Sequence, residues 1–414
     1  MSKDNTKGNK KTAAKGKKGS AESRSGSKSR GEHRAAKVVG TATAQVTIGL
    51  DLGDQTSHYC ILDEAGMVVE EGRLTTTREG IHRRFGSGVK ALMAMEVGTH
   101  SPWASRLLKE LGHEVLVANP RKLRMIYESR HKQDKVDAEM LARVARMDRK
   151  LLASIEHRPE AMAQHLSIVR SRDVLVRART QLINHVRGAV KSTGERVRKC
   201  ASESFAKHAL DQVPEGVRQA LSPVLVTIEL VTQQIRDLDD TVQELGEKVY
   251  PETKLLRQVS GVGPLISLVF VLTLQDPRRF AKSRAVGPYL GLVPARSQSG
   301  RSDPQLRITK EGDVFLRRLL VQGAQYILGA FGPDCDLRRF GMALAARGGK
   351  NAKKRAIVAV ARKLAVLLHR LWRSGEVYEP LRQQAVSASP EVPAQQPQRA
   401  ATATTTTTNR NIAA

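Results

Sequence analysis

Four carboxylates have the residue type and order for shared chemistry. Asp51 lies in "QVTIGLDLG", Glu96 in "ALMAMEVG", and Asp134 and Asp137 in "DKVDAEML". Carboxylate oxygens bind hard divalent cations, and four of them can hold two such cations roughly 4 Å apart. Such a pair activates a water or hydroxyl and stabilises the leaving oxygen when a phosphodiester is cut. Each acid alone has a plainer reading. Asp134 or Asp137 can cap a helix or answer its dipole, Asp51 can end a strand in a turn, and Glu96 can pair with an arginine. Their order favours the joint reading: an acid on the first strand, an acid at the fourth, then a helical pair.

Local patterns supply the elements that must position them. Val46, Ile48, Leu50 and Leu52 alternate with Thr47, Gly49 and Asp51, which predicts a strand carrying a carboxylate beside glycines that let a ligand approach. "SHYCILDEAGMVVEEGRL" predicts two more strands joined by a turn at Asp63 to Gly66, hence an antiparallel meander. A helix around Arg78 to Phe85, the strand "ALMAME", the helix "SPWASRLLKELG" closed by Gly112 and the strand "EVLVANP" follow. The next helix opens on the aspartate pair and offers Val136, Met140, Val144, Met147 and Leu151 as an apolar stripe, with both aspartates at its edge. Trp103 can stack on a base or pack in the core, and with 4% aromatic residues core packing is the expectation.

From about 154 to 250 the strand signal disappears, and two long helical patterns predict a helical hairpin or coiled-coil spacer. "LLRQVSGVGPLISLVFVLTL" sets Gly261, Gly263 and Pro264 between apolar helices. That is a helix-hairpin-helix-like element able to turn backbone N–H groups to a phosphate, or an ordinary interhelical turn. A Gly and Ser rich loop, "RFAKSRAVGPYLGLVPARSQSGRSD", and two basic helices ending near Gly375 follow. The expected domains are a disordered basic arm (1–43), an α/β domain (44–153), the helical spacer (154–250), a mainly α-helical carboxy-terminal domain (251–380) and a disordered tail (381–414).

The chain has 414 residues, 40% of them hydrophobic, enough for real cores. Its 69 Lys and Arg against 41 Asp and Glu give a formal net charge of +28, which makes a nucleic acid the expected partner. The longest apolar run, "PLISLVFVLTL", is too short to span a bilayer, so no membrane is expected and the chain reads as cytoplasmic. Cys60, Cys200 and Cys335 are too scattered for a disulfide framework or a zinc site. Two other function classes compete. A sugar kinase or actin-like ATPase would suit "IGLDLGDQTSHYCILDEAG" but needs a second glycine-rich site that is not found. A nonenzymatic nucleic-acid-binding protein would leave the four acids dispensable.

The segments "IGLDLGDQTSHYCILDEAG", "AMEVGTHSPWASRLLKELGHEVLVANPRKLR", "DKVDAEMLARVAR", "VSGVGPL", "LGLVPARSQSG" and "RITKEGDVFLRRLLVQGA" resemble, in order and spacing, the DEDD transposases of bacterial insertion sequences, the family numbered one hundred and ten. The likeness covers roughly residues 44 to 375. It implies an α/β RNase H-like (RuvC-like) domain in which Asp51, Glu96, Asp134 and Asp137 bind Mg2+, and a second domain bearing a catalytic serine. That serine falls on Ser299, with Ser297 and Ser302 close enough to keep the assignment open. Arg296, Arg301, Arg307 and Lys310 would hold phosphates around it, with Gly261 and Gly263 as further nucleic-acid contacts. The resemblance also implies donor and target DNA as substrates, a noncoding bridge RNA that selects them, a homo-oligomer (dimer or tetramer) and a nucleoid-associated location. Where many relatives read "E-A-T-G" after the glutamate, this chain reads "EVGTHSPW".

Overall fold

In the computed structural model the described residues are 46–119, 134–304 and 306–382, with the side chains of Asp134 and Lys135 excepted. The amino-terminal arm and most of the carboxy-terminal tail lie outside them. The chain divides into two compact units, one running up to Glu156 and one from His157 onward.

The first unit is a three-layer α/β structure. Strands β1 (Thr47–Asp51), β2 (Thr56–Leu62) and β3 (Val68–Thr75) form the expected meander, with Gly66 at φ 80° closing the turn between β2 and β3. Helix α1 (Arg78–Phe85) leads to β4 (Leu92–Glu96), and α2 (Ser101–Glu110) leads to β5 (Glu114–Ala118). The sheet order is β3-β2-β1-β4-β5, with β1 parallel to β4 and β4 parallel to β5. This mixed five-stranded sheet fits an RNase H-like domain. A register shift between Ile61 and Leu62 interrupts the pairing of β2 with β3. Along the outer side of β5, Ile155 donates its N–H to the Val117 carbonyl at 2.9 Å.

Helices α1 and α2 cover one face of the sheet, burying Ile81, Phe85, Ala104 and Leu108 against Ile48, Leu50, Met93 and Met95. Trp103 packs at the margin of this core, as expected. The other face carries α3 (Asp134–Met147). Its buried line keeps Val144 and half-buried Met140 of the stripe read from the sequence but departs from it elsewhere. Val136 is 38% exposed and Met147 75%, whereas Ala138, Leu141, Ala142, Val144 and Ala145 are buried. Small side chains face the sheet because Gly49 lets the helix backbone approach β1 closely: a Cβ at position 49 would stand 1.9 Å from the Ala138 carbonyl oxygen. Gly49 therefore admits a helix rather than a ligand, and β1 is buried on both faces.

The second unit is helical. Helices α4 (Glu160–Ser192) and α6 (Glu215–Glu244) are antiparallel, with α5 (Phe205–Leu210) between them in sequence. Arg172 Nη2 donates to Asp239 Oδ2 at 2.9 Å, and buried Arg179 reaches Glu203 at 3.0 Å and Thr232 at 3.4 Å. One end of the hairpin is packed by Ile183, Val186, Val190, Phe205, Leu221 and Ile228. At the other end Leu166, Val169 and Val242 join a large core built around α7 (Pro264–Leu274), α8 (Val314–Leu328) and α10 (Ala352–Ser374). Between the last two lies α9 (Asp336–Ala346). Helix α7, the apolar run of the sequence, is buried from Ile266 to Leu274. Among the described residues no helix is long and apolar enough to cross a membrane.

Candidate functional site

In the first unit Asp51, Glu96 and Asp137 lie toward one end of the sheet. The parallel register pairs Leu50 with Met95, so the next residues, Asp51 and Glu96, end adjacent strands side by side. Parallel neighbours stand about 4.8 Å apart. Helix α3 runs antiparallel to β1. Near its carboxyl end, Arg143 Nη1 donates to the Gly66 carbonyl at 3.3 Å and Arg146 Nη1 to that of Asp63 at 3.4 Å, both in the turn beyond the start of β1. Its opening turns, with Ala138 over Gly49, come to the strand end that carries Asp51. Asp51, Glu96 and Asp137 are all half-buried there. Backbone position 134 lies one turn before Ala138 on the same helix line.

This donor set suits a hard cation, because carboxylate oxygens supply both charge and coordination and no thiol stands among them. Among the described residues, no three His, Cys, Asp or Glu side chains are grouped closely enough to enclose an ion. The side chain of Asp134 is outside that set.

Sequence reasoning missed a polar pair at the same end of the sheet. His100, in the loop after β4, sits 3.5 Å through Nε2 from Asp54 Oδ1, in the loop after β1. Trp103 Nε1 donates to His100 Nδ1 at 3.2 Å, which leaves the proton on Nε2 in the neutral ring. The signal was available in the strand-end segments "DLGDQ" and "EVGTH".

In the second unit the "RSQSG" segment is the tip of a β-hairpin arm. Pro294 pairs with Ile308 near the base, and Ala295 N–H donates to the Arg307 carbonyl at 2.8 Å. At the tip Ser299 and Ser302 exchange backbone hydrogen bonds of 3.0 and 2.9 Å. Gly300, at φ 54°, occupies the first central position, as a type II′ turn requires. The base is fixed where two backbones cross: a Cβ on Gly291 would stand 2.3 Å from Glu311, and one on Gly312 would stand 2.0 Å from the Tyr289 carbonyl oxygen. Ser297, Ser299 and Ser302 are exposed, as are Arg296, Arg301, Arg307 and Lys310. Lys310 holds φ 58°, a left-handed conformation that costs about 1–2 kcal/mol.

Gly261 and Gly263 have separate roles. Gly261, at φ 82°, nests against α8, its Cβ position 2.8 Å from the Gly323 carbonyl oxygen. Gly263 caps α7 and faces open space.

Two family models match the chain: one described as a transposase, of the DEDD type, over residues 48–195, and one described as a transposase of the IS116/IS110/IS902 family over residues 253–336. The transposase for insertion sequence element IS1111A of Coxiella burnetii is 26% identical over 80% of this chain and 90% of its own. A probable family 20 transposase of Pseudomonas aeruginosa is 27% identical over 80% of this chain and 98% of its own. The putative transposase y4pF/y4sB of Sinorhizobium fredii is 30% identical over 74% of this chain and 79% of its own. The chain belongs to the IS116/IS110/IS902 family of transposases.

Proposed function

We propose that the chain cuts and rejoins donor and target DNA as the recombinase of its insertion sequence, with Asp51, Glu96, Asp134 and Asp137 as a Mg2+-binding tetrad and Ser299 as nucleophile. The observation that carries this reading is the register of β1 with β4, which ends two neighbouring strands on Asp51 and Glu96 beneath the opening turns of α3. Divalent cations held by that tetrad would neutralise the carboxylates and stabilise charge on a phosphate oxygen.

Ser299 stands at an exposed hairpin tip among exposed arginines, a setting suited to meeting a phosphodiester. In the proposed step its Oγ forms a bond to phosphorus as one phosphorus–sugar oxygen bond breaks. The serine loses its proton and the departing sugar oxygen gains one. Attack of a second sugar hydroxyl on the phosphoserine reverses the step and joins new strands. In this reading Arg296, Arg301, Arg307 and Lys310 hold phosphates beside the serine, with Gly261 and Gly263 as further contacts. A noncoding bridge RNA selects the two DNA sites, and the protein works as a dimer or tetramer at the nucleoid. Support for these last parts is the sequence resemblance and the +28 charge.

The test is recombination of donor and target plasmids in cells supplied with the element's flanking noncoding region. Wild type gives product; folded Asp51→Ala and Ser299→Ala give none. Product from Ser299→Ala moves the nucleophile to Ser297 or Ser302 or removes the serine step. Indifference to both substitutions overturns the catalytic reading.

A further inference from the structure

Beside the Ser299 hairpin the second unit carries a groove of about 1470 Å³, lined among the described residues by eleven Lys and Arg side chains and two carboxylates, Asp336 and Glu379. One whole face of α10 forms its length. Along one lane of that helix Lys354, Val358, Arg362, Val366 and Arg370 follow at every fourth residue; along the next lane come Arg355, Ala359, Lys363 and Leu367. Basic and apolar side chains thus alternate for about 24 Å, at 1.5 Å per residue. Among the described residues only Arg382 of these cations is ion-paired, with Glu376 at 3.1 Å. The base of the hairpin, through Pro294, Leu306, Arg307 and Ile308, forms another part of the lining.

We infer that this groove binds a segment of single-stranded DNA, phosphates on the Lys and Arg side chains and base faces on the apolar positions between them. The alternation argues for a single strand. A duplex presents phosphates but hides its base faces, so Val358, Val366 and Leu367 would meet nothing complementary, whereas an unpaired strand offers both surfaces in turn. Phe340 adds an aromatic face to the lining, with Lys363 Nζ 3.9 Å from its ring centroid. Charge selects the polymer: the groove's excess of positive side chains calls for a polyanion. The preference for DNA over RNA rests on the lining, which among the described residues offers just two uncharged polar side chains, Asn351 and Tyr378, to reward a 2′-hydroxyl. Because one part of the lining leads to the Ser299 tip, the bound strand is the one flanking the reacting phosphodiester. That last clause rests on the proposed function; the binding itself does not.

The experiment measures binding of a fluorescent twelve-nucleotide oligodeoxythymidine to the full chain by anisotropy across a salt series. Lys354→Glu with Arg370→Glu is compared with Lys199→Glu with Lys207→Glu, an exposed pair elsewhere in the second unit. Both doubles lower the net charge by four, so global charge alone predicts equal losses. Losing two phosphate contacts should flatten the salt slope by about 1.4 and weaken binding about 25-fold at 0.1 M salt. The control double should change affinity less than twofold. The neutral pair Lys354→Gln with Arg370→Gln, milder for folding, removes the same two contacts and should flatten the slope by the same amount, without the added repulsion of the glutamates. Equal losses in the two Glu doubles overturn the groove assignment, as does an unchanged Gln pair. Full competition by a duplex of the same length overturns the single-strand assignment, and tighter groove-dependent binding of oligouridine overturns DNA. Loss of plasmid recombination in Ser299→Ala with oligonucleotide affinity intact leaves this inference standing whatever becomes of the serine.

Discussion

Gly49→Ala should disable the acid site without touching an acid. The added methyl would lie 1.9 Å from the Ala138 carbonyl oxygen and 2.7 Å from the Ala142 nitrogen, where real contacts essentially never fall below 3.0 Å. Both obstacles are backbone, so no side chain can swing away and α3 must retreat by about 1 Å. Overpacking of this kind costs about 1–3 kcal/mol. In amide exchange that becomes roughly 5- to 160-fold faster exchange through opening of α3 and β1. The retreat carries Asp137, which sits beside Ala138, and a 1 Å misplacement of a catalytic group lowers rate about 100-fold. Hydrogen–deuterium exchange on peptides covering 46–62 and 136–147 reads the first effect, and plasmid recombination reads the second. Gly98→Ala, where the new methyl meets open space, is the control and should match wild type in both assays. Wild-type exchange and recombination in Gly49→Ala would refute the reasoning.

Three further outcomes are expected. Asp313 caps α8 by accepting from the Leu316 N–H at 2.8 Å and lies 3.8 Å from Arg158 and Arg170, so Asp313→Ala should cost about 0.5–2 kcal/mol; Asp313→Asn should recover the capping part, read from urea midpoints of the second unit. Buried His369 has its pKa lowered, first by desolvation, with Nε2 2.9 Å from the Pro277 carbonyl and Nδ1 2.9 Å from Ser283 Oγ. The unfolded chain takes up the proton near the ordinary pKa of about 6.5 while the folded ring stays neutral until a lower pH, so stability falls with pH from about 6.5 down to the folded pKa and then levels. His369→Asn should remove that part of the slope in melts at pH 5 to 7; an unchanged slope would place the linkage elsewhere. Chelation of divalent metal should abolish recombination, and added Mg2+ restore it, while oligonucleotide binding through the basic groove survives.

Local patterns made much of the fold legible. Alternation around Ile48 and Leu50, the turn ending at Gly66 and the stops at Gly112 and Gly375 all lie where side-chain period and backbone freedom required. The neighbouring positions of Asp51 and Glu96 depend on a parallel register across 45 residues, which no local window contains. Bulk does not mark the buried residues of α3. Contact with a glycine on β1 selects alanines, and Met147 is left in solvent. The segment 279–303 reads as one loop, but Val286–Tyr289 within it forms a helical turn, and the hairpin depends on the backbone crossing of Gly291 with Glu311 and of Gly312 with Tyr289, a contact between residues far apart in sequence. The basic face of α10 could be read as amphipathic, yet the groove beside it becomes visible only once the hairpin base stands against it.

The two outer strands of the sheet bear on how the chain avoids aggregation. An unpaired strand edge is a template for a second chain, and proteins that gather on one nucleic acid meet one another at high local concentration. Beside β5, the bond from Ile155 to Val117 occupies part of the edge. At β3 no strand among the described residues pairs with the outer side, and Met67 and Val69 are 65% and 60% exposed. There the register shift at Ile61 and Leu62 disturbs the flatness a foreign strand would need, and Glu70, Glu71 and Arg73 place charge along the strand. Many copies can then crowd onto one polymer without zipping into a continuous sheet.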